Sequence, residues 1–258
     1  MGLPLRISLV QQALIWENIP ANLDQFERLL EPLQGHTDLI VLPEMFTTGF
    51  SMQPEKLAET MDGSAIQWMT RQAARTEAVV TGSLIIREHD RFFNRLVWMR
   101  PDGSFDSYDK RHLSSLAGEH HHYHPGQQRL ITTWKGWRVC PLVCYDLRFP
   151  VWSRNNHAYD LLIYVANFPA QRAHAWKQLL LARAIENQTY VAGLNRTGID
   201  GKGHAYAGDS AIIDFEGNYA ARLYEPPAVL TTTLHLTDQQ QFQQKFRFLA
   251  DQDDFAIQ

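Results

Sequence analysis

The stretch "LITTWKGWRVCPLVCYDLRFP", residues 130–150, contains a hairpin, a buried strand and the point where that strand leaves its sheet. Two apolar runs flank Lys135-Gly136, a pair typical of a tight turn. The second run ends at Cys144, and Pro150 then favours the start of a helix. The stretch therefore predicts a strand that ends in a cysteine at a sheet edge, next to a helix.

Strand and helix patterns alternate along the rest of the chain. Strands are predicted at residues 5–11, 38–42, 78–87, 161–166, 189–195 and 228–236, helices at residues 18–33, 64–76 and 173–187, and further hairpins at residues 96–110 and 209–224. About a dozen strands exceed the number usual in a single sheet, and the hairpins argue against an all-parallel fold. We predict an α/β fold in which two mixed sheets pack face to face, with helices on both outer faces.

Composition favours one domain over residues 1–258, with a polar helix and tail from about residue 237. The chain is 45% hydrophobic, enough for a substantial core. Its net charge is −4 and its 24 lysines and arginines are spread out, so we expect neither nucleic acid nor a membrane as a partner. No apolar run approaches the ~20 residues that span a bilayer. The N-terminus lacks a signal-peptide pattern and two cysteines form no disulfide framework, so we expect a cytoplasmic protein.

Glu44, Lys110 and Cys144 each stand where a predicted strand gives way to a loop. Side chains at strand ends are firmly held yet accessible, and α/β enzymes place their chemistry there. A cysteine nucleophile needs a base or a nearby cation. A glutamate can act as general base, and a lysine can favour the thiolate and then an oxyanion. Taken singly, Glu44 and Lys110 fit surface charges better, and Cys140, inside the strand, fits a packing residue.

These three residues lie in segments that form a longer ordered pattern. The segments are, in chain order, "LIVLPEMFTTGF", "YDKRHL", "VCYDLRFP", "ANFPAQRAHAWKQLLLARAIENQTYVAGLNRTG" and "GDSAIIDFEG". Together they resemble the nitrilase (carbon–nitrogen hydrolase) superfamily, and within it the ω-amidases, which hydrolyse the terminal amide of 2-oxo dicarboxylic acid monoamides such as 2-oxoglutaramate. The resemblance implies a four-layer α-β-β-α sandwich, a Glu44-Lys110-Cys144 triad, a thioester intermediate and no cofactor.

The same resemblance assigns supporting roles to other residues. It implies that Glu119 positions Lys110 and the substrate amide, and that Lys110 and the backbone N–H of Tyr145 hold the oxyanion. It also implies a homodimer. Two positions depart from the family pattern: Val151 stands where a glutamate is common, and Ser114 where an aromatic residue is usual. Val151 removes a supporting contact and leaves the triad intact.

The carboxylate of a small anionic substrate needs a cationic partner, because an unpaired buried carboxylate is expensive. Arg172 and Arg148 are the candidates, with Arg172 first, since a guanidinium matches a carboxylate at two points. Arg172 equally fits a solvated loop position, and Arg148 fits better a structural ion pair with Asp146 or with the loop of Glu44. Phe168 and Trp176 fit either an apolar pocket wall or the core.

Other functions compete with a small-molecule amidase. The loop "AGEHHHYHPG" contains His120, His121, His122 and His124, and imidazole is a common zinc ligand. Neighbouring histidines in a loop point in different directions, however, and the helical H-E-x-x-H spacing is absent, so we expect no metal. A hydrolase of another small amide, carbamoyl compound or nitrile stays open. So do a metal-dependent phosphoesterase on a similar sandwich and a non-catalytic binding module.

Overall fold

The computed structural model describes residues 3–156 and 159–256. The strands are β1 (Leu5–Gln11), β2 (Leu39–Val41), β3 (Val79–Glu88), β4 (Arg91–Met99), β5 (Phe105–Asp109), β6 (Thr132–Trp134), β7 (Trp137–Val143), β8 (Leu161–Ala166), β9 (Tyr190–Asn195), β10 (Thr197–Ile199), β11 (Ala205–Ala207), β12 (Ala211–Ile213), β13 (Tyr219–Arg222) and β14 (Ala228–Leu234). The α-helices are α1 (Ile19–Leu30), α2 (Pro54–Leu57), α3 (Ser64–Thr76), α4 (Pro150–Ser153), α5 (Ala173–Asn187) and α6 (Leu236–Lys245).

The strands form two large mixed sheets and one small hairpin sheet. The first sheet has the order β14-β1-β2-β3-β4-β5, the second has the order β13-β12-β9-β8-β7-β6, and β10 pairs with β11. Parallel strands occupy the centre of each large sheet, β1, β2 and β3 in one and β7, β8 and β9 in the other. Antiparallel strands extend both edges. Parallel neighbours need long crossovers and hairpins need only short turns, which is why the sequence alternates between the two.

Residue alternation along the strands divides the core into layers. On β2, Ile40 packs in the core that includes residues of α1 and α3, whereas Leu39 and Val41 pack in the core shared with the second sheet. Trp176 and Leu180 of α5 cover the second sheet from its other side. Burying one such side chain contributes about 1.5–3 kcal/mol. The result is the predicted α-β-β-α sandwich, which the structure confirms.

The element boundaries differ from prediction in a few places. The helix predicted at residues 18–33 ends as α1 at Leu30, and Glu31–Leu33 form a 3-10 turn, because Pro32 has no N–H to donate within a helix. Short α2, β10 and β11 were not predicted, since three or four residues carry too little periodicity. In the described ranges no helix is long and apolar enough to cross a membrane.

Candidate active site

The predicted triad residues stand at strand ends of both sheets. Glu44 comes shortly after β2, Lys110 directly follows β5 and Cys144 directly follows β7. Asn167, which sequence reasoning missed, directly follows β8. Because β2, β7 and β8 are interior strands, the residues at their ends are held by the whole sandwich.

Lys110 is ion-paired with two carboxylates in the protein interior. Its Nζ lies 2.9 Å from Oε1 of Glu44 and 2.9 Å from each carboxylate oxygen of Glu119. The side chains of Lys110, Glu44 and Glu119 are 1%, 0% and 0% exposed. A buried charge that loses its partner is destabilising by about 3–5 kcal/mol. Each of the three groups therefore holds the other two in place.

Two asparagines fix the orientation of Glu44. Asn94 donates from Nδ2 to Oε1 of Glu44 at 2.8 Å and to Oε1 of Glu119 at 3.3 Å. The backbone N–H of Asn167 donates to Oε2 of Glu44 at 2.8 Å, and its side-chain amide donates to the backbone oxygen of Glu44 at 2.6 Å. Sequence reasoning missed Asn94 as well, because the predicted hairpin began at residue 96 whereas β4 begins at Arg91.

Two carboxylates face one ammonium in this cluster, and this sets its protonation. Burial opposes the charge of Lys110, but the negative charges of Glu119 and Glu44 outweigh burial and raise the pKa of Lys110. Burial raises the pKa of Glu119, the Lys110 charge opposes that rise and the Glu44 charge adds to it. Lys110 therefore stays an ammonium, and Glu119 is a weaker acid than an exposed glutamate.

The two departures from the family pattern leave the cluster intact. The backbone N–H of Ser114 donates to Oε2 of Glu119 at 2.7 Å, so the contact does not depend on the side chain at this position. Val151 is 54% exposed on α4. An apolar residue there faces solvent, and the ion pairs of the cluster do not involve this position.

Cys144 begins the turn that leaves β7, and its backbone is left-handed. Its φ is +45°, uncommon for any residue but glycine, and Cys144–Arg148 form a 3-10 turn. Burial and the charge of Glu44 raise the pKa of Cys144 well above its usual value, and the charge of Lys110 opposes this. Lys110 acts in the expected direction but is outweighed, so the thiol stays protonated and needs a base.

A cavity of about 590 Å³ gives access to Cys144, a size suited to a small ligand. Its lining includes all the substrate-binding residues that the sequence predicted, namely Tyr145, Arg148, Phe168 and Arg172, together with Lys110 and Cys144. Glu44 and Glu119 are fully buried behind this lining. The structure therefore places the predicted nucleophile and the predicted substrate-binding residues on one cavity.

Both arginines lie against the aromatic wall of this cavity. Their Cζ atoms are 5.4 Å (Arg148) and 6.0 Å (Arg172) from the ring centroid of Phe168. Within residues 3–156 and 159–256 neither arginine forms an ion pair, so the alternative that Arg148 pairs with Asp146 or with the loop of Glu44 is wrong. The carboxylate of Asp146 is occupied instead by other donors, among them His112. Trp176 is fully buried beneath Phe168 and belongs to the core.

The β10–β11 hairpin contributes a part of the cavity that sequence reasoning missed. Lys202, His204 and Tyr206 line the cavity. Asp200 holds the hairpin, because its carboxylate accepts from the backbone N–H groups of Lys202 and His204 at 2.9 Å each and from Oη of Tyr206 at 2.8 Å. The glycine-rich segment "GIDGKGHAYAG" was a usable sign of a tight hairpin. Lys202 adds a fourth cationic side chain to the cavity lining, beside Lys110, Arg148 and Arg172.

The histidine-rich loop lies apart from the cavity lining. His120 and His121 are exposed, with ring centroids 3.8 Å apart. In the part of the chain that the structure describes, no group of three His, Cys, Asp or Glu side chains is placed to hold a metal ion.

Comparisons with known proteins agree with this geometry. The Carbon-nitrogen hydrolase family model matches residues 6–244. The chain is 49% identical to Omega-amidase YafV of Yersinia enterocolitica over 98% of each chain. It is 33% identical to the 2-oxoglutaramate amidase of Bacillus subtilis (strain 168), over 83% of this chain and 85% of that one.

A solved structure shows the same architecture. XC1258 from Xanthomonas campestris is described as a CN-hydrolase superfamily protein with an arsenic adduct in the active site. It matches with a TM-score of 0.97 and 46% identity, covering 99% of this chain and 100% of that one. With a family model matching most of its length, and with relatives matching it from end to end, the chain belongs to the carbon–nitrogen hydrolase family.

Proposed function

We propose that this protein is a thiol-dependent amidase that releases ammonia from the terminal amide of a small 2-oxo dicarboxylic acid monoamide, such as 2-oxoglutaramate. The observation that carries the proposal is the buried Glu44–Lys110–Glu119 cluster behind Cys144, on a cavity that also contains two arginines. The relatives named omega-amidase and 2-oxoglutaramate amidase support this substrate class over other amides, carbamoyl compounds or nitriles. Family membership argues against a phosphoesterase.

In the first half-reaction, Sγ of Cys144 attacks the amide carbon. The raised pKa of the thiol leaves little thiolate at neutral pH, so Glu44 accepts the thiol proton as the C–S bond forms. Glu44 then gives this proton to the amide nitrogen, the C–N bond breaks and ammonia leaves. The acyl group stays on Cys144 as a thioester.

The oxyanion of each tetrahedral intermediate is held by Lys110 and the backbone N–H of Tyr145. The first N–H groups of a helical turn have no partner within the turn, and Tyr145 is the second residue of the Cys144–Arg148 turn. Lys110 adds a full positive charge from a side chain that is 1% exposed. Removal of one such donor typically lowers turnover roughly 10²–10³-fold.

In the second half-reaction, Glu44 takes a proton from water as the water oxygen attacks the thioester carbon. The C–S bond breaks, the acid leaves and the proton returns to the sulfur of Cys144. Glu119 positions Lys110 through both of its carboxylate oxygens and stays where it is throughout. No step requires a cofactor or a metal ion.

Recognition of the substrate carboxylate falls to the arginines, with Arg172 first and Arg148 second. Both guanidinium groups lie against Phe168, which keeps them oriented and gives the substrate chain an apolar wall. A charge-assisted hydrogen bond contributes about 1.5–3 kcal/mol. Loss of the correct arginine should therefore lower kcat/KM on the order of 10–100-fold.

The test compares kcat/KM for 2-oxoglutaramate with that for a neutral amide of equal length. We expect the wild type to prefer 2-oxoglutaramate and Arg172→Ala to lose most of that preference. Arg91→Ala, which removes an exposed arginine at the start of β4, serves as the matched control and should change nothing. Equal rates on the two amides in the wild type would contradict carboxylate recognition. A preference that survives in Arg172→Ala moves the role to Arg148.

We further propose that the protein acts as a homodimer in the cytoplasm on this small-molecule substrate. Exposed apolar residues on outer helices, Val151 on α4 at 54% and Ile185 on α5 at 56%, are compatible with a partner surface. Sedimentation at micromolar concentration should give twice the mass of the chain. A monomer under those conditions contradicts the dimer without affecting the proposed chemistry.

A further inference from the structure

A buried carboxylate outside the proposed chemistry lies two residues beyond Cys144. Asp146 is 0% exposed. Its Oδ1 accepts from the backbone N–H of His112 at 3.0 Å and lies 2.8 Å from Nδ1 of the same histidine. Its Oδ2 accepts from Oη of Tyr108 at 2.8 Å and from the backbone N–H of Val143 at 3.1 Å. Both oxygens therefore have two partners each.

These contacts join the two elements that hold the proposed lysine and cysteine. Tyr108 and His112 stand two residues on either side of Lys110, and Val143 immediately precedes Cys144. Tyr108 belongs to β5 of the first sheet and Val143 to β7 of the second. Asp146 thus bridges the two sheets at the point where their reactive side chains must meet.

The hydrogen bonds of Asp146 also span the strained turn at Cys144. Cys144 has a φ of +45°, and the contact from Asp146 back to the N–H of Val143 spans this residue. The hydroxyl of Tyr108 accepts from the backbone N–H of Arg111 at 3.2 Å and from Nε1 of Trp152 at 2.9 Å, so its own proton is committed to Asp146. The geometry of the turn and the hydrogen bonds of Asp146 therefore depend on one another.

We infer that Asp146 and His112 are positioning residues, whose hydrogen bond locks the turn of Cys144 against the loop of Lys110. The inference rests on the proposed function, in which Cys144 is the nucleophile. In this role neither Asp146 nor His112 contacts the substrate. The consequence is that the side chain of His112 should influence the reactivity of the thiol from outside the cavity lining.

The side chain of His112 makes two contacts that can be separated. Its ring is 23% exposed and stacks on Phe149, with centroids 3.7 Å apart and 6° between the planes. His112→Phe keeps a ring for this stack and removes the donor to Asp146. His112→Asn removes the ring and keeps an N–H donor near the position of Nδ1. If the ring of His112 acts mainly through packing, His112→Phe should be the more active variant. If it acts as a positioning donor, His112→Asn should be the more active variant.

The experiment measures three quantities in the wild type and both variants. They are the rate constant for alkylation of Cys144 by iodoacetamide, kcat and KM for ammonia release, and the melting temperature. We expect His112→Asn to stay within a few-fold of the wild type. His112→Phe should lose on the order of tenfold in both alkylation rate and kcat, the size of one hydrogen bond to a charged group, while KM changes little.

Equal alkylation rates in His112→Phe and His112→Asn overturn the inference, and so does a faster His112→Phe. Asp146→Asn provides an independent check, because the NH2 group of its amide must face one of the donors that now bind Asp146. Full activity of Asp146→Asn also overturns the inference. If the wild type releases no ammonia from any amide while the two variants still differ in alkylation, the proposed function fails and the positioning role stands.

Discussion

Cys140 and Cys144 stand four residues apart along β7 and the turn that follows it, and only Cys144 lines the cavity. Cys140 lies inside β7, 0% exposed in the large apolar core. Cys144 lies one residue beyond the strand on the cavity wall, 8% exposed. Burial raises the pKa of Cys140 to about 12, and burial together with Glu44 raises that of Cys144. Thiol acidity therefore does not distinguish the two.

What distinguishes them is access to the cavity. The charges of Glu44 and Lys110 act on Cys144, which lines the cavity. A cation and a carboxylate, Arg129 and Asp146, act on Cys140 as well, but Cys140 is 0% exposed and lies in the core away from the cavity lining. A protonated thiol next to a buried base becomes a nucleophile at the moment its proton is taken. The strand end, more than the cysteine itself, determines which thiol can react.

The largest effect is expected from removing the base. Glu44→Gln keeps the size of the side chain but cannot accept the proton of Cys144, so kcat should fall by about 10²–10⁴-fold. Ammonia release gives the measurement, and Glu31→Gln, at an exposed position, gives the control. A Glu44→Gln enzyme within a few-fold of the wild type means that some other group accepts the proton.

Removal of the cation should come next. Lys110→Met deletes an oxyanion donor and leaves two buried carboxylates unpaired, so turnover should fall roughly 10²–10³-fold and stability by about 3–5 kcal/mol. Adding Glu119→Gln removes one unpaired carboxylate. The double variant should regain melting temperature and not turnover. Recovery of turnover in that variant would show that Lys110 has only a structural role.

The pH dependence of alkylation examines the thiol itself. Only the thiolate reacts. Since the pKa of Cys144 is raised, its thiolate fraction should grow about tenfold per pH unit from pH 7 to 9. Glu44→Gln removes a negative charge that raises this pKa, so alkylation at a given pH should become faster while catalysis becomes slower. A plateau near neutral pH in the wild type indicates a preformed ion pair and contradicts the account.

The smallest effect belongs to the buried thiol. Cys140→Ala removes one sulfur atom from the core and should lower stability by about 1 kcal/mol, a shift of a few degrees in melting temperature. Its kcat and KM should match those of the wild type. A marked loss of kcat with an unchanged melting temperature would give Cys140 a chemical role that its surroundings do not suggest.

The fold and the residues that gather in the candidate site could be predicted because their signals are local. Strand and helix periodicity, turn chemistry and ordered family segments each occupy a short stretch of chain, and they identified Glu44, Lys110, Glu119 and Cys144 as one site. The supporting contacts are not local. Asn94 reaches Glu44 across fifty positions of sequence, and no pattern near either residue indicates that pairing.

The direction of the pKa shift at Cys144 also could not be predicted from the sequence. Whether Lys110 promotes a thiolate depends on how many carboxylates share its charge and on how deeply all of them are buried. Burial of Cys144, together with the charges of Glu44 and Glu119, outweighs Lys110 and raises the pKa of the thiol. The role of the β10–β11 hairpin was missed for a related reason, since its position over the cavity depends on the packing of distant segments.

The most direct test of the central claim locates the acyl group during turnover. The enzyme is mixed with 2-oxoglutaramate, quenched in acid and digested with pepsin at the same acid pH, where a thioester does not exchange between neighbouring thiols. Fragmentation of the peptides from residues 139–148 by mass spectrometry then reports on Cys140 and Cys144 together, so each serves as a control for the other. We predict the substrate acyl group on Cys144 alone, with its accumulation lost in Cys144→Ala. An acyl group on Cys140, or full ammonia release by Cys144→Ala, contradicts the account.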